Sequence, residues 1–175
     1  GLVLANIHDP HNVSAIYRSC DAFGVPKVHL YYTDTAFPLL GRKSSGSARK
    51  WVESVRHTEA GEMMRTIRKG LGPEGQILAT GFSESARPMT EFDLSRPTVI
   101  MLGNEHRGVD EELVREADGE AYIPMQGMVQ SLNVSVAAAV SLFEAWRQRQ
   151  EKGMYDQPSY PEGELEERIE AWLKK

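Results

Sequence analysis

Ile123-Pro124-Met125-Gln126-Gly127-Met128-Val129-Gln130-Ser131-Leu132-Asn133-Val134-Ser135-Val136-Ala137-Ala138-Ala139 is the stretch on which the reading of this chain turns. It leaves a β-type residue at Ile123, breaks at Pro124 and crosses a run rich in Gly, Met, Gln and Ser. Asn133 and Ser135 then lead into a long apolar helix. A polar-lined loop that feeds a helix N-terminus leaves backbone N–H and C=O groups unpaired, and such groups can hold a small ligand.

Working outward, short apolar runs at residues 2–7, 28–32, 52–55, 77–81, 98–102 and 121–123 read as strands, mostly buried. Helical patterns at 12–23, 60–70, 110–116 and 132–150 fall between and after them. The alternation predicts an α/β fold: a mainly parallel sheet with helices on both faces. Gly24-Val25-Pro26 stops the first helix, and Gly70-Leu71-Gly72-Pro73 stops the second. Beyond Lys152, Gly153, Pro158 and Pro161 mark a linker. Leu165, Ile169 and Trp172 are then spaced by four and three, which puts them on one face of a short amphipathic helix. The expected organisation is one α/β domain over residues 1–152 and a linker-and-helix tail over 153–175.

With 175 residues, 41% of them hydrophobic and 26% charged, the chain has ordinary globular composition. It carries no apolar run of the ~18 residues a membrane span needs and no signal peptide pattern. Its one cysteine, Cys20, excludes an internal disulfide framework and a Cys-rich metal site, so cytoplasmic residence is expected. The chain opens at Gly1 directly on an apolar segment, and the expectation is that an N-terminal stretch has been lost. Net charge is −5, but Arg42, Lys43, Arg49 and Lys50 cluster around a Ser/Gly loop, while Glu162, Glu164, Glu166, Glu167 and Glu170 load the tail with acid. A local basic patch of this kind is compatible with RNA.

Familiar nucleotide fingerprints are missing: there is no G-x-G-x-x-G after the first strand and no P-loop. His8, His11, His29, His57 and His106 show no metal-ligand spacing, and no metal is expected. What remains are polar loops that follow strands. In the first, Asn12 occupies a natural N-cap position, and Arg18 lies six residues on with a forked donor array suited to phosphate. Six residues correspond to roughly 600° of helical rotation, so the two do not share a face. In the second, Gly103-Asn104-Glu105 ends a buried strand, where Glu105 could orient Asn12 or Arg18. The third is the quoted stretch: Ile123, Met125 and Leu132 can wall an adenine-sized slot, with Ser131 and Asn133 at the reacting end. Thr80-Gly81 ends a further strand with a hydroxyl and a glycine. Ligands of open parallel sheets collect at the C-terminal ends of strands, and all four segments occupy such ends.

Asn12-x5-Arg18, Leu102-Gly103-Asn104-Glu105 and the run from Ile123 to Val136 together resemble the three signatures of the SpoU/TrmH family of SPOUT RNA 2′-O-methyltransferases. The resemblance covers about residues 2 to 150. Met128-Val129-Gln130-Ser131-Leu132-Asn133-Val134-Ser135-Val136, followed by Glu144-Ala145-x-Arg147-Gln148-Arg149-Gln150, is most similar to the enzymes that methylate the ribose of guanosine-18 in tRNA. The resemblance implies a deep C-terminal trefoil knot, a homodimer with sites near the subunit interface, and S-adenosylmethionine bound in the knot. By position it implies cofactor contacts at Thr80, Gly103, Ile123, Met125, Leu132 and Asn133. The catalytic set it implies is Arg18 with Asn12, Glu105, Ser131 and Asn133, while His8, His11 and His106 receive no role. RNA capture is expected of Arg42, Lys43, Arg49 and Lys50, beside Trp51 and supplied across the dimer. Two alternatives stay open at this point: a 23S ribosomal-RNA 2′-O-methyltransferase, and a non-catalytic RNA-binding protein on the same scaffold.

Overall fold

The computed structural model describes residues 1–38, 48–158, 160 and 162–174, without the side chains of Arg49 and Glu162. Among the described residues, seven strands form one sheet: β1 (Leu2–Ala5), β2 (Lys27–Tyr31), β3 (Glu53–His57), β4 (Gln76–Thr80), β5 (Arg87–Pro88), β6 (Thr98–Leu102) and β7 (Gly119–Tyr122). Their spatial order is β3-β2-β1-β6-β4-β7-β5, and each of these ladders is parallel. The strand tips that precede the polar loops therefore lie along one edge of the sheet. β1 and β6 are buried along their whole length, which is why they read as unbroken apolar runs.

The helices are α1 (Pro10–Ala22), α2 (Ala48–Trp51), α3 (Ala60–Leu71), α4 (Glu111–Glu116), α5 (Val134–Glu151) and α6 (Glu162–Leu173). Side-chain alternation along the strands divides the core in two. Leu2, Leu4, Leu30 and Leu102 face Val13, Ile16 and Tyr17 of α1 and Ala138 and Leu142 of α5. Val3, Ala5, Ala79 and Met101 face Met63, Met64 and Ile67 of α3 and Leu113 of α4. Helices cover both faces, as the alternation predicts.

The start of α1 corrects one expectation. Its N-cap is Asp9, whose side chain accepts from the His11 N–H at 2.8 Å, and Pro10 is the first helical residue. Proline has a helix-ready φ and no N–H to satisfy, so it marks the first turn and makes its predecessor the cap. Asn12 thus sits inside the first turn, and its amide is free for another partner.

At the other end of the molecule, α5 straps down the chain that leads into β6. Gln148 accepts from the Leu94 N–H at 2.8 Å and donates to the Phe92 carbonyl at 3.1 Å. Arg149 donates to the Leu94 and Arg96 carbonyls, both at 3.1 Å, and Lys152 reaches Asp93. The sequence alone does not anticipate β5 or the 3-10 turn Met89–Glu91 that follows it. The tail helix α6 does form, with Trp172 edge-on to Trp51 at 6.2 Å, but Ile169 on the same face remains 43% exposed. Among the described residues, no helix is long and apolar enough to cross a membrane.

Candidate active site

Four loops meet at the C-terminal edge of the sheet around a cavity of about 970 Å³. Thr80 and Gly81 enter it from β4, residues 102–109 from β6, and residues 120–123 and Met125 from β7. Residues 130–134 and Ala137 close it from the start of α5. This lies at the upper end of the range for small-molecule sites. It lies over β6, β4 and β7 at their C-terminal ends, where ligands of open parallel sheets collect.

Met125 and residues 130 to 132 line the cavity from an unusual segment, residues 124 to 132. Among the described residues, no hydrogen bond involves any residue of this segment. Its N–H and C=O groups are held in place by the anchors at either end, Tyr122 in the sheet and Asn133 at the helix cap. Such a wall can read the edge of a planar polar ligand through its backbone. The opposite wall is a tight turn. A Cβ on Gly103 would lie 2.0 Å from the Gly108 carbonyl carbon and 2.1 Å from the Val109 nitrogen, so this position takes no side chain.

Beside the cavity, three side chains far apart in sequence form a directed relay. Asn12 Nδ2 donates to Glu105 Oε1 at 3.0 Å, and Asn133 Nδ2 donates to Asn12 Oδ1 at 3.1 Å. Asn133 Oδ1 in turn accepts from the Ser135 N–H at 2.9 Å and the Ser135 hydroxyl at 2.7 Å. Both ends fix the direction, because an ionised carboxylate only accepts and a backbone N–H only donates. Each amide has one orientation that satisfies its neighbours. Glu105 also accepts from the His8 and Asp9 N–H groups at 3.2 and 3.4 Å. Burial by itself would raise the Glu105 pKa, but the Asn12 amide and these backbone donors outweigh it and hold the carboxyl below its ordinary range.

The predicted cofactor contacts Thr80, Gly103, Ile123, Met125, Leu132 and Asn133 all line the cavity, as do Glu105 and Ser131. Asn12 joins them through the relay. Arg18 does not: it is exposed, lies outside the cavity lining, and its guanidinium forms no hydrogen bond or ion pair with a described residue. Along α1 it is turned about 120° away from Asn12 and displaced by about 9 Å. Of the predicted RNA contacts, Arg42 and Lys43 and the side chain of Arg49 lie outside the described residues, while Lys50 is exposed on α2.

Several residues at the site escape the sequence reading. Glu120 and Tyr122 line the cavity from β7, next to Phe82, whose ring is 5.9 Å from that of Tyr122. Arg107 stands at the rim, paired with Asp34 and, at 3.4 Å, with Asp110. Asn6 is buried in left-handed backbone with φ 51° and accepts the Asn104 amide on its carbonyl at 2.9 Å, steadying the β6 loop. Asparagine just after a strand is a weak signal for such a kink. The other residues carry no local signal, because tertiary packing alone brings them together.

Residues 1–143 match the SpoU rRNA methylase family. The chain belongs to that family. This SpoU-family protein is 45% identical over 176 residues to the tRNA (guanosine(18)-2′-O)-methyltransferase of Thermus thermophilus, covering 99% of this chain and 88% of the relative. Its fold is similar to the crystal structure of the A. aeolicus TrmH/SpoU tRNA modifying enzyme, with TM-score 0.88 and 38% identity over 98% of this chain and 85% of that one. The SpoU methyltransferase AviRb of Streptomyces viridochromogenes, crystallised in complex with AdoMet, matches with TM-score 0.78 and 28% identity over 86% of this chain and 60% of that one.

Proposed function

We propose that this protein is an S-adenosylmethionine-dependent ribose 2′-O-methyltransferase whose substrate is guanosine-18 of tRNA. One observation carries the reading: the Glu105–Asn12–Asn133 relay stands at the mouth of a cavity whose wall is unpaired backbone. The high identity to a tRNA (guanosine(18)-2′-O)-methyltransferase supports the substrate, and a tRNA substrate implies cytoplasmic residence.

The residues present fit the cofactor. Ile123, Met125 and Leu132 offer apolar surface to an adenine ring, and residues 124 to 132 offer it hydrogen-bond partners. Thr80, Gly103 and Asn133 stand around the remainder. When bound, S-adenosylmethionine supplies the methyl group that ends on the ribose 2′-oxygen. Asn133 and Ser131 orient the ribose, and the relay keeps Asn133 in one rotamer. A guanidinium stays protonated at neutral pH, so Arg18 holds a substrate phosphate in position to take the 2′-hydroxyl proton and does not take that proton itself. Positioning of this kind can supply roughly 7–11 kcal/mol of barrier lowering without a conventional base.

Arg18 cannot address the cavity of its own chain from where it stands, so we infer that it completes the site of a second copy. The exposed face of α5 supports a homodimer. Val136, Val140, Phe143 and Trp146 follow one another at helical spacing and are 46%, 39%, 51% and 36% exposed. Phe143→Glu is expected to give a monomer by light scattering. The same reading takes residues 1–152 as the methyltransferase unit, with the segment around Gln126–Gln150 threaded as a trefoil knot and 153–175 as an appended tail. The basic residues Arg42, Lys43, Arg49 and Lys50 then capture the RNA.

The deciding experiment incubates the protein with radiolabelled S-adenosylmethionine, unmodified tRNA transcripts and 23S rRNA fragments, and maps the labelled ribose. Label at guanosine-18 of tRNA is the expected result. Label on rRNA alone would replace the substrate and keep the chemistry, and absence of label despite cofactor binding would favour a binding protein.

A further inference from the structure

Among the described residues, the cavity has two carboxylates in its lining, Glu105 and Glu120, and they are held very differently. Glu105 is engaged by three N–H donors of the relay and the β1–α1 turn. Glu120, the second residue of β7, is half-buried and forms no ion pair with a described residue. Arg107, the one Arg or Lys in the lining among the described residues, is taken by Asp34 and Asp110. What holds Glu120 is a single neutral residue: the Ser83 N–H donates to Oε1 at 3.1 Å and the Ser83 hydroxyl donates to Oε2. The chain makes room for this arrangement at Gly81, where a Cβ would sit 1.9 Å from Glu120 Oε1. Gly81 is itself fixed to β7 by its N–H, which donates to the Ala121 carbonyl at 3.1 Å.

A carboxylate buttressed on both oxygens by one residue keeps a free acceptor site on each oxygen, side by side. Two neighbouring hydroxyls match that pair, and carboxylates hold ribose hydroxyls in this way in dinucleotide folds. Along an extended chain, Glu120 lies about 10 Å from Ile123, where the proposed adenine slot begins, a separation comparable to the length of a nucleoside. The geometry points to Glu120 as the residue that binds the ribose diol of the cofactor, with Ser83 as its positioning residue. The assignment rests on the cofactor reading given above.

Calorimetry on the whole protein tests it with S-adenosylhomocysteine, its 2′,3′-dideoxy analogue, and methylthioadenosine, which has the diol and lacks the ammonium. Wild-type protein is expected to bind S-adenosylhomocysteine roughly ten- to a hundredfold more tightly than the dideoxy analogue. Glu120→Gln, which keeps an acceptor for Ser83, is expected to lose most of that preference and to weaken methylthioadenosine by a similar factor. Ser83→Ala should show the same pattern in smaller degree, with circular dichroism confirming the fold of each variant. Equal loss for the diol and dideoxy ligands, or none, overturns the assignment. Loss for S-adenosylhomocysteine with none for methylthioadenosine overturns it too, because the carboxylate would then serve the ammonium. Failure of the wild type to bind any of the three would overturn the cofactor reading itself.

Discussion

Asn133 Nδ2 donates to Asn12 Oδ1 at 3.1 Å, joining two residues 121 positions apart in the chain. One lies in the first turn of α1 and the other caps α5. The bond exists because the start of α5 lies beside the first turn of α1, so one contact ties the cavity's rim to the packing of these two helices. Its direction depends on Glu105, the acceptor at the far end.

Glu105→Gln is therefore a sharper test than its modest change of shape suggests. A glutamine can donate as well as accept, so the Asn12 amide would no longer have a single satisfied orientation. Single-turnover methyl transfer is expected to fall ten- to a hundredfold, roughly the loss seen when supporting hydrogen bonds of an active site are removed. Cofactor affinity by calorimetry should stay within about threefold. In the wild type the Glu105 pKa is depressed, so the relay is intact at neutral pH and is lost only as pH falls through that lowered value.

If Arg18 serves the partner's cavity, two inactive variants can rescue one another. Arg18→Ala and Asn12→Ala are each expected to be inactive alone. After subunit exchange in equal amounts, random pairing yields one intact site in each mixed dimer, or about a quarter of wild-type activity. A mixture as inactive as its parents would place Arg18 and Asn12 in the site of one chain.

Gly103→Ala forces a methyl group against the Gly108 and Val109 backbone. The neighbouring atoms are main chain and cannot swing aside, so a loss of about 1–3 kcal/mol is expected in denaturant unfolding, with weakened cofactor binding. Retention of both would show that the turn can widen.

His29 and His57 stand on adjacent strands, with Nδ1 of the first 2.9 Å from Nε2 of the second, and the Nδ1 of His57 is buried without a hydrogen-bond partner among the described residues. Burial, with His57, Lys27 and the N-terminus adding to it, lowers the His29 pKa to about 4, and burial lowers that of His57 as well. A histidine depressed in the folded state takes up its proton more readily when unfolded. Its stability contribution is then complete above an unfolded pKa of about 6.5 and is lost as pH falls from there through about 4. Urea unfolding between pH 7.5 and 4.5 should show a loss of between about 1 and 3 kcal/mol attributable to the pair. The double substitution His29→Leu with His57→Leu should flatten that slope.

Much of this architecture is legible in the amino-acid sequence. β6 reads with its observed bounds because both of its faces are covered and all five residues are apolar or Thr. β5 is invisible, since two residues that include a proline carry no strand signal on their own. The cap of α1 reads wrongly as Asn12, although Asp9-Pro10 spells it out, because asparagine is an equally good capping type. The cavity-lining residues named from the sequence fall into place because all of them follow parallel strands. Glu120 gives no such signal, because its significance depends on Ser83 and Gly81, some 40 positions earlier, and no local pattern joins them. A knot is expected solely through family resemblance, since threading leaves no periodic trace in a sequence.

The wall formed by residues 124 to 132 has a consequence for how this protein can change over evolutionary time. A segment that forms no hydrogen bond with the rest of the described residues contributes little to the melting temperature, so most side-chain replacements there should be nearly silent in a thermal scan. Replacements at Met125 and at residues 130 to 132 alter the lining of the cavity. Selection acting on this stretch would therefore be selection for recognition, largely separated from selection for folding. Descendants could trade one RNA for another here while the sheet beneath them stayed as it is.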